Sequence, residues 1–172
     1  AAPGWLDSIL EDDELRAKID LLKKYIGTAE LPHDYARVLQ LWTSLRVDGI
    51  LNSEQQQTLV KLLREQQQSD GGWSIRQFAT PEQWGNGNRA GKLREEPEFT
   101  IEPSDGHMTG LALLVLQEAG VPNDDDSLRQ GLNWLRENQR ESGRWWTRSL
   151  NTDKWHFITY SGTAYPLLAL QR

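Results

Sequence analysis

A carboxylate and an imidazole stand two residues apart in Asp105-Gly106-His107-Met108-Thr109-Gly110, at the head of the apolar run Leu111-Ala112-Leu113-Leu114-Val115-Leu116. Groups at the first turn of a buried helix are shielded from bulk water, and burial is what tunes a carboxylic acid or an imidazole for proton transfer. The two other histidines, His33 and His156, also fall just ahead of apolar helical segments. Three histidines and Asp105 admit proton transfer or metal ligation, but the spacing 33, 107, 156 has no local metal-ligand pattern, so no metal is expected. Capping is the competing role, because an Asp just ahead of a helix accepts N–H groups of its first turn, and this is the favoured reading of Asp105. Trp84, Trp146, Arg148 and Trp155 lie in the inter-helix stretches and Tyr160 at the start of the last apolar segment; these five are the candidate ligand contacts.

Positioning such residues requires a scaffold, and the scaffold shows itself as a repeat. Gln67-Gln68-Ser69-Asp70-Gly71-Gly72-Trp73 recurs 72 residues later as Gln139-Arg140-Glu141-Ser142-Gly143-Arg144-Trp145, both reading Gln-x-x-x-Gly-x-Trp. The match extends upstream without a gap, Leu63-Arg64-Glu65-Gln66 against Leu135-Arg136-Glu137-Asn138. A repeat of this period calls for an array of similar units.

Apolar spacing predicts six helices. The first starts near Asp12-Asp13 and stops at Gly27, with a short helical turn expected before it at 4–10; the second starts at an Asp34 N-cap and ends at Asp48-Gly49; the third covers 53–68. The fourth runs from Ser104-Asp105-Gly106 to about Ala119, the fifth from the 123–126 acidic cap to Gln139, and the sixth over about 158–171. The second, fourth and sixth are apolar on most of their circumference and are expected to be buried; the first, third and fifth carry one apolar stripe and belong outside. The stretches 74–104 and 140–156 are long connections. Long connections, the three histidines and the candidate ligand contacts fall at one rim of such an array, and the short turns 48–52 and 120–124 at the other.

Composition removes several function classes. With a net charge of −6 and no basic run, nucleic acid is not an expected partner. The absence of cysteine excludes disulfides, thiolate zinc sites and cysteine nucleophiles. No stretch of 18 apolar residues exists to span a membrane. The opening Ala1-Ala2-Pro3, without an initiator Met, reads either as a mature terminus or as the edge of a longer chain.

The paired Gln-x-x-x-Gly-x-Trp turns, each after an amphipathic helix, resemble the QW motif of squalene-hopene and oxidosqualene cyclases. Asp105 to Gly110, the second turn and Gly162-Thr163-Ala164 resemble cyclase-like repeat domains of secreted or periplasmic bacterial proteins, a likeness covering about 34–172. The resemblance implies an all-α fold: an α/α toroid-type repeat of alternating inner and outer helices, here a half-ring or partial barrel, taken as one domain over 1–172. It implies a structural role for Gln67, Gly71, Trp73, Gln139, Gly143 and Trp145, and a periplasmic or secreted location. In the cyclases an Asp-x-Asp-Asp-Thr stretch protonates the polyene. Matching its Thr to Thr109 puts Asp105 at the first Asp, but His107 and Met108 at the other two, so the central proton donor is missing. Protein prenyltransferases share the toroid but use a cysteine for zinc, which this chain lacks. The expectation is therefore a binding or assembly module without a cofactor, open to an apolar isoprenoid ligand, with another chain or segment over its open helical flanks. The alternative is an active cyclase-like or polysaccharide-acting enzyme using Asp105 and His107, with Trp84, Trp146, Trp155, Arg144, Arg148 and Lys154 as a rim.

Overall fold

The computed structural model describes residues 12–96, 104–147, 150 and 160–172. Among them are seven α-helices and no strand: α1 (Asp13–Thr28), α2 (Asp34–Ser44), α3 (Ser53–Glu65), α4 (Ala90–Glu95), α5 (Gly106–Glu118), α6 (Asp126–Glu137) and α7 (Ser161–Leu170). This is an all-α fold of the α/α toroid type. Six of the helices are those the apolar spacing predicts. The seventh, α4, lies inside the stretch read as a connection, with 3-10 turns at Ile75–Phe78 and Trp84–Gly87. It spans six residues and buries only Leu93, too little to leave a periodic pattern.

Caps set the helix starts. Asp12, Asn52, Asp105 and Asp125 each accept first-turn N–H groups, and Asn52 completes a capping box with Gln55. At α2 the cap is His33 and not Asp34: His33 Nδ1 accepts from Ala36 N at 3.1 Å, while Asp34 is the first helical residue and pairs with Arg37. Imidazole substitutes for a carboxylate here because its unprotonated ring nitrogen is an acceptor.

The core is built round α5. Every residue from Gly106 to Leu116 is buried. It has α2 and α3 on one side and α6 and α7 on the other. Gly110 admits the closest approach: a Cβ there would lie 2.4 Å from Pro166 N of α7. The expectation that the second and sixth helices are equally buried is not met. In α2 only Val38, Leu41 and Ser44 are buried, and in α7 only Gly162, Pro166 and Ala169. Among the described residues α5 is the apolar helix with packed neighbours on both flanks, and the other two each have one flank open.

The two repeated turns fold alike. Each Gln side chain donates to the carbonyl of its own turn glycine, Gln67 to Gly71 O at 2.8 Å and Gln139 to Gly143 O at 3.0 Å. Those glycines have φ of 89° and 76°, the left-handed region that a side chain disfavours. Each Trp returns to the helix before it: Trp73 Nε1 donates to Leu63 O and Trp145 Nε1 to Leu135 O, both at 2.7 Å. Those carbonyls belong to the last turns of α3 and α6, where no helical N–H remains to bond them. The indoles are fully buried, so each turn both caps its outer helix and fills the core.

Candidate functional site

Asp105 is enclosed between the two turns. Its Oδ2 accepts from Ile75 N at 2.7 Å; its Oδ1 accepts from Met108 N at 2.9 Å and from the Thr147 hydroxyl at 3.1 Å. Ile75 and Thr147 each lie two residues past a turn Trp. The main chain follows the same plan, with Asp105 N donating to Trp73 O and Gly106 N to Trp146 O. Thr109, one turn on, accepts from Trp73 N and donates to Trp73 O. Burial pushes the Asp105 carboxyl up to about 6, against these hydrogen bonds, which favour the ionised form. The carboxylate thus ties the start of α5 to both turns, and it is 3 % exposed.

His107 faces the other way and is also buried. Its Nε2 is 3.0 Å from the Tyr35 hydroxyl and its Nδ1 2.8 Å from Ser161 Oγ, so the imidazole bridges α2 and α7 across the head of α5. Its backbone N–H donates to Thr147 Oγ1 at 2.8 Å. Desolvation lowers its pKa to about 4, and the ring is neutral near pH 7. The same burial raises the Tyr35 hydroxyl to about 12.

Aromatic rings continue from this point in both directions. The His33 ring lies tilted at 4.9 Å from Trp84, Trp84 at 5.9 Å from Tyr35, and Tyr35 at 5.8 Å from His107. On the other side His107 lies 5.3 Å from Tyr165, which meets Trp42 edge-on at 5.7 Å. The chain of rings ends at Glu118, whose carboxylate accepts from Trp42 Nε1, from Arg46 through two nitrogens, and from Arg172. The α2, α5 and α7 segments are locked together at that end, and the Glu118 carboxyl is held below its ordinary range first by its hydrogen bond to Arg46.

The candidate residues named from sequence are only partly brought together. Trp84, partly buried, packs with His33 and Tyr35 and reaches His107 only through Tyr35, and its Nε1 has no hydrogen-bond partner among the described residues. Trp146 is partly buried and meets Asp105's helix through its carbonyl. Tyr160 is 92 % exposed and borders a separate open cavity of about 450 Å³ with Arg144, Thr163, Ala164 and Leu167. Arg148, Trp155 and His156 lie outside the described residues, as does Lys154. Sequence reasoning overlooked Tyr35, Thr147, Ser161, Tyr165 and the Glu118 cluster. Tyr35 carried a usable signal, since it stands one full 72-residue period before His107. No group of three or more metal-ligating side chains occurs among the described residues.

Comparison with known proteins adds one decisive match. The family model of the squalene-hopene cyclase C-terminal domain covers residues 34–172. The chain belongs to that family. No curated protein and no solved structure shows a match. Within this squalene-hopene cyclase C-terminal domain, α2 to α7 and both turns fall inside the matched span, whereas α1 precedes it. No helix among the described residues is long and apolar enough to cross a membrane.

Proposed function

We propose that this cyclase-family domain is a binding or assembly module rather than a polyene cyclase. The observation that supports this most is the environment of Asp105. Protonating an alkene requires a carboxylic acid with a proton facing the substrate. Both Asp105 oxygens instead accept hydrogen bonds from Ile75, Met108 and Thr147. These bonds favour the ionised carboxylate and hold it against the turns, and a carboxylic proton would weaken them. His107, at the place of the missing acid, is neutral and engaged at both nitrogens, so it has no proton to spare for an alkene.

An apolar ligand remains compatible with this reading. Trp84, Tyr35, Tyr165 and Trp42 are all only partly buried and lie along the inner helices and the rim, and such rings suit an isoprenoid chain. The polysaccharide alternative draws less support, because Tyr160 and Trp84 lie in different parts of the fold. The test is incubation with a linear C30 polyene and with a polyprenyl diphosphate, followed by mass spectrometry of extracted lipid. The reading expects unchanged lipid, some of it co-purifying with the protein. Cyclised product that disappears in Asp105→Asn, with the variant still folded, overturns it.

A further inference from the structure

The three outer helices can be superposed through one carbonyl. Leu63 O of α3 and Leu135 O of α6 each accept the turn Trp, and Ile26 O of α1 accepts Gln40 Nε2 at 2.6 Å in the same last-turn position. This register equates Leu21, Leu22 and Tyr25 of α1 with Gln130, Gly131 and Trp134 of α6.

On α6 that face is where the preceding turn sits. Gly71 lies against Gln130, the Trp73 ring would be 2.8 Å from a Cβ at Gly131, and Trp134 Nε1 donates to Asp70 at 3.0 Å. Gln67 completes the seam with a second bond, to Ser127 O at 2.9 Å. On α1 the matching face is bare: Leu21, Leu22 and Tyr25 are 68 %, 55 % and 69 % exposed. The second turn is exposed in the complementary sense. Residues 139–142 and 144 are exposed, and the Gln139 side chain has only its own Gly143 carbonyl among the described residues. Beside it α7 presents Leu167 and Leu168, 44 % and 48 % exposed. Among the described residues, one end therefore presents an exposed turn and the other an exposed helix face of the kind that receives a turn.

We infer that the chain self-associates head to tail, the 139–144 turn and α7 flank of one copy seating on the Leu21–Leu22–Tyr25 face of a second. This rests on the reading of the domain as an assembly module and names the partner. The contact is heterologous, so it joins unlike faces and builds rings or open chains rather than symmetric face-to-face pairs. It reproduces between copies a junction that already exists within one copy, as expected where stability comes from neighbouring repeats.

The test is light scattering on the 172-residue chain across a concentration series, with circular dichroism to verify folding. The expected result is mass in whole multiples of 19.7 kDa. Leu22→Glu and Leu168→Glu, both at exposed positions, are each expected to give folded monomers. Mixing the two variants leaves one intact pair of faces, the tail of the first against the head of the second, and is expected to restore a dimer. A monomer at every concentration, variants that associate like the parent, or a mixture that stays monomeric overturns the inference. A monomer that also fails to turn over polyene leaves the non-catalytic reading standing, so the two failures are distinct.

Discussion

Ile75 and Thr147 occupy the same place in two copies of one turn, each two residues past its tryptophan, and they donate to opposite oxygens of Asp105. The Asp105 carboxylate thus serves the repeat as a cross-tie. These donors favour the ionised Asp105 and oppose the burial that raises its pKa.

The pH dependence follows from two opposed shifts. Asp105 is raised from 3.8 to about 6, so the folded state holds its proton more tightly; that contribution is present below 3.8 and is lost as pH rises through about 6. His107 is lowered from 6.5 to about 4, so the unfolded state binds the proton first; that contribution is present above 6.5 and is lost as pH falls through about 4. The windows overlap and the slopes oppose. Urea unfolding of the parent between pH 4 and 6.5 is expected to show little change from this pair. His107→Gln removes the histidine component, and its stability is expected to fall as pH rises across that interval. A slope of the opposite sign in the variant contradicts the assignment.

The Glu118 cluster is expected to act as a salt-sensitive clasp. Glu118→Gln keeps the shape but weakens the bonds from Arg46 and Arg172, whose side chains are about half exposed. The cost is on the order of 1–2 kcal/mol at low ionic strength and shrinks in high salt. Because the Glu118 pKa is lowered, its contribution is present above the ordinary glutamate range and fades as pH falls through the depressed value. Thermal unfolding of parent and variant at two salt concentrations measures this.

The turn tryptophans allow a paired comparison. Trp73→Phe and Trp145→Phe each remove an N–H from a helix-end carbonyl and leave a void in the core. Each is expected to cost about 2–4 kcal/mol in urea unfolding. Near-equal losses fit two copies of one device; a neutral result at either site shows that its turn is not tied as described.

How much of this was legible beforehand depended on the kind of signal. The turns were readable because Gln, Gly and Trp each have a fixed job and recur in register. The six longer helices were readable from apolar spacing. Helix α4 was not, since six residues burying one leucine carry no period. His33 was passed over as a cap because Asp34 beside it is the commoner capping residue. Equal burial of the three apolar helices was expected from composition, yet burial depends on neighbours, and among the described residues only α5 has them on both flanks. At the site, Asp105 and His107 stand out in the sequence as a carboxylate and an imidazole at the head of an apolar run. Thr147 and Ser161 leave no such signal, since the fold brings them from 42 and 54 residues away, whereas Tyr35 stands one repeat period from His107.

The central claim is that Asp105 holds the two turns together, and the unfolding free energy of Asp105→Asn tests it most directly. The substitution replaces one accepting oxygen with an NH₂ group facing donors, so a loss of about 3 kcal/mol is expected, with a fold that remains cooperative. An Asp105→Asn protein as stable as its parent, but stripped of a turnover activity that the parent shows, contradicts the account.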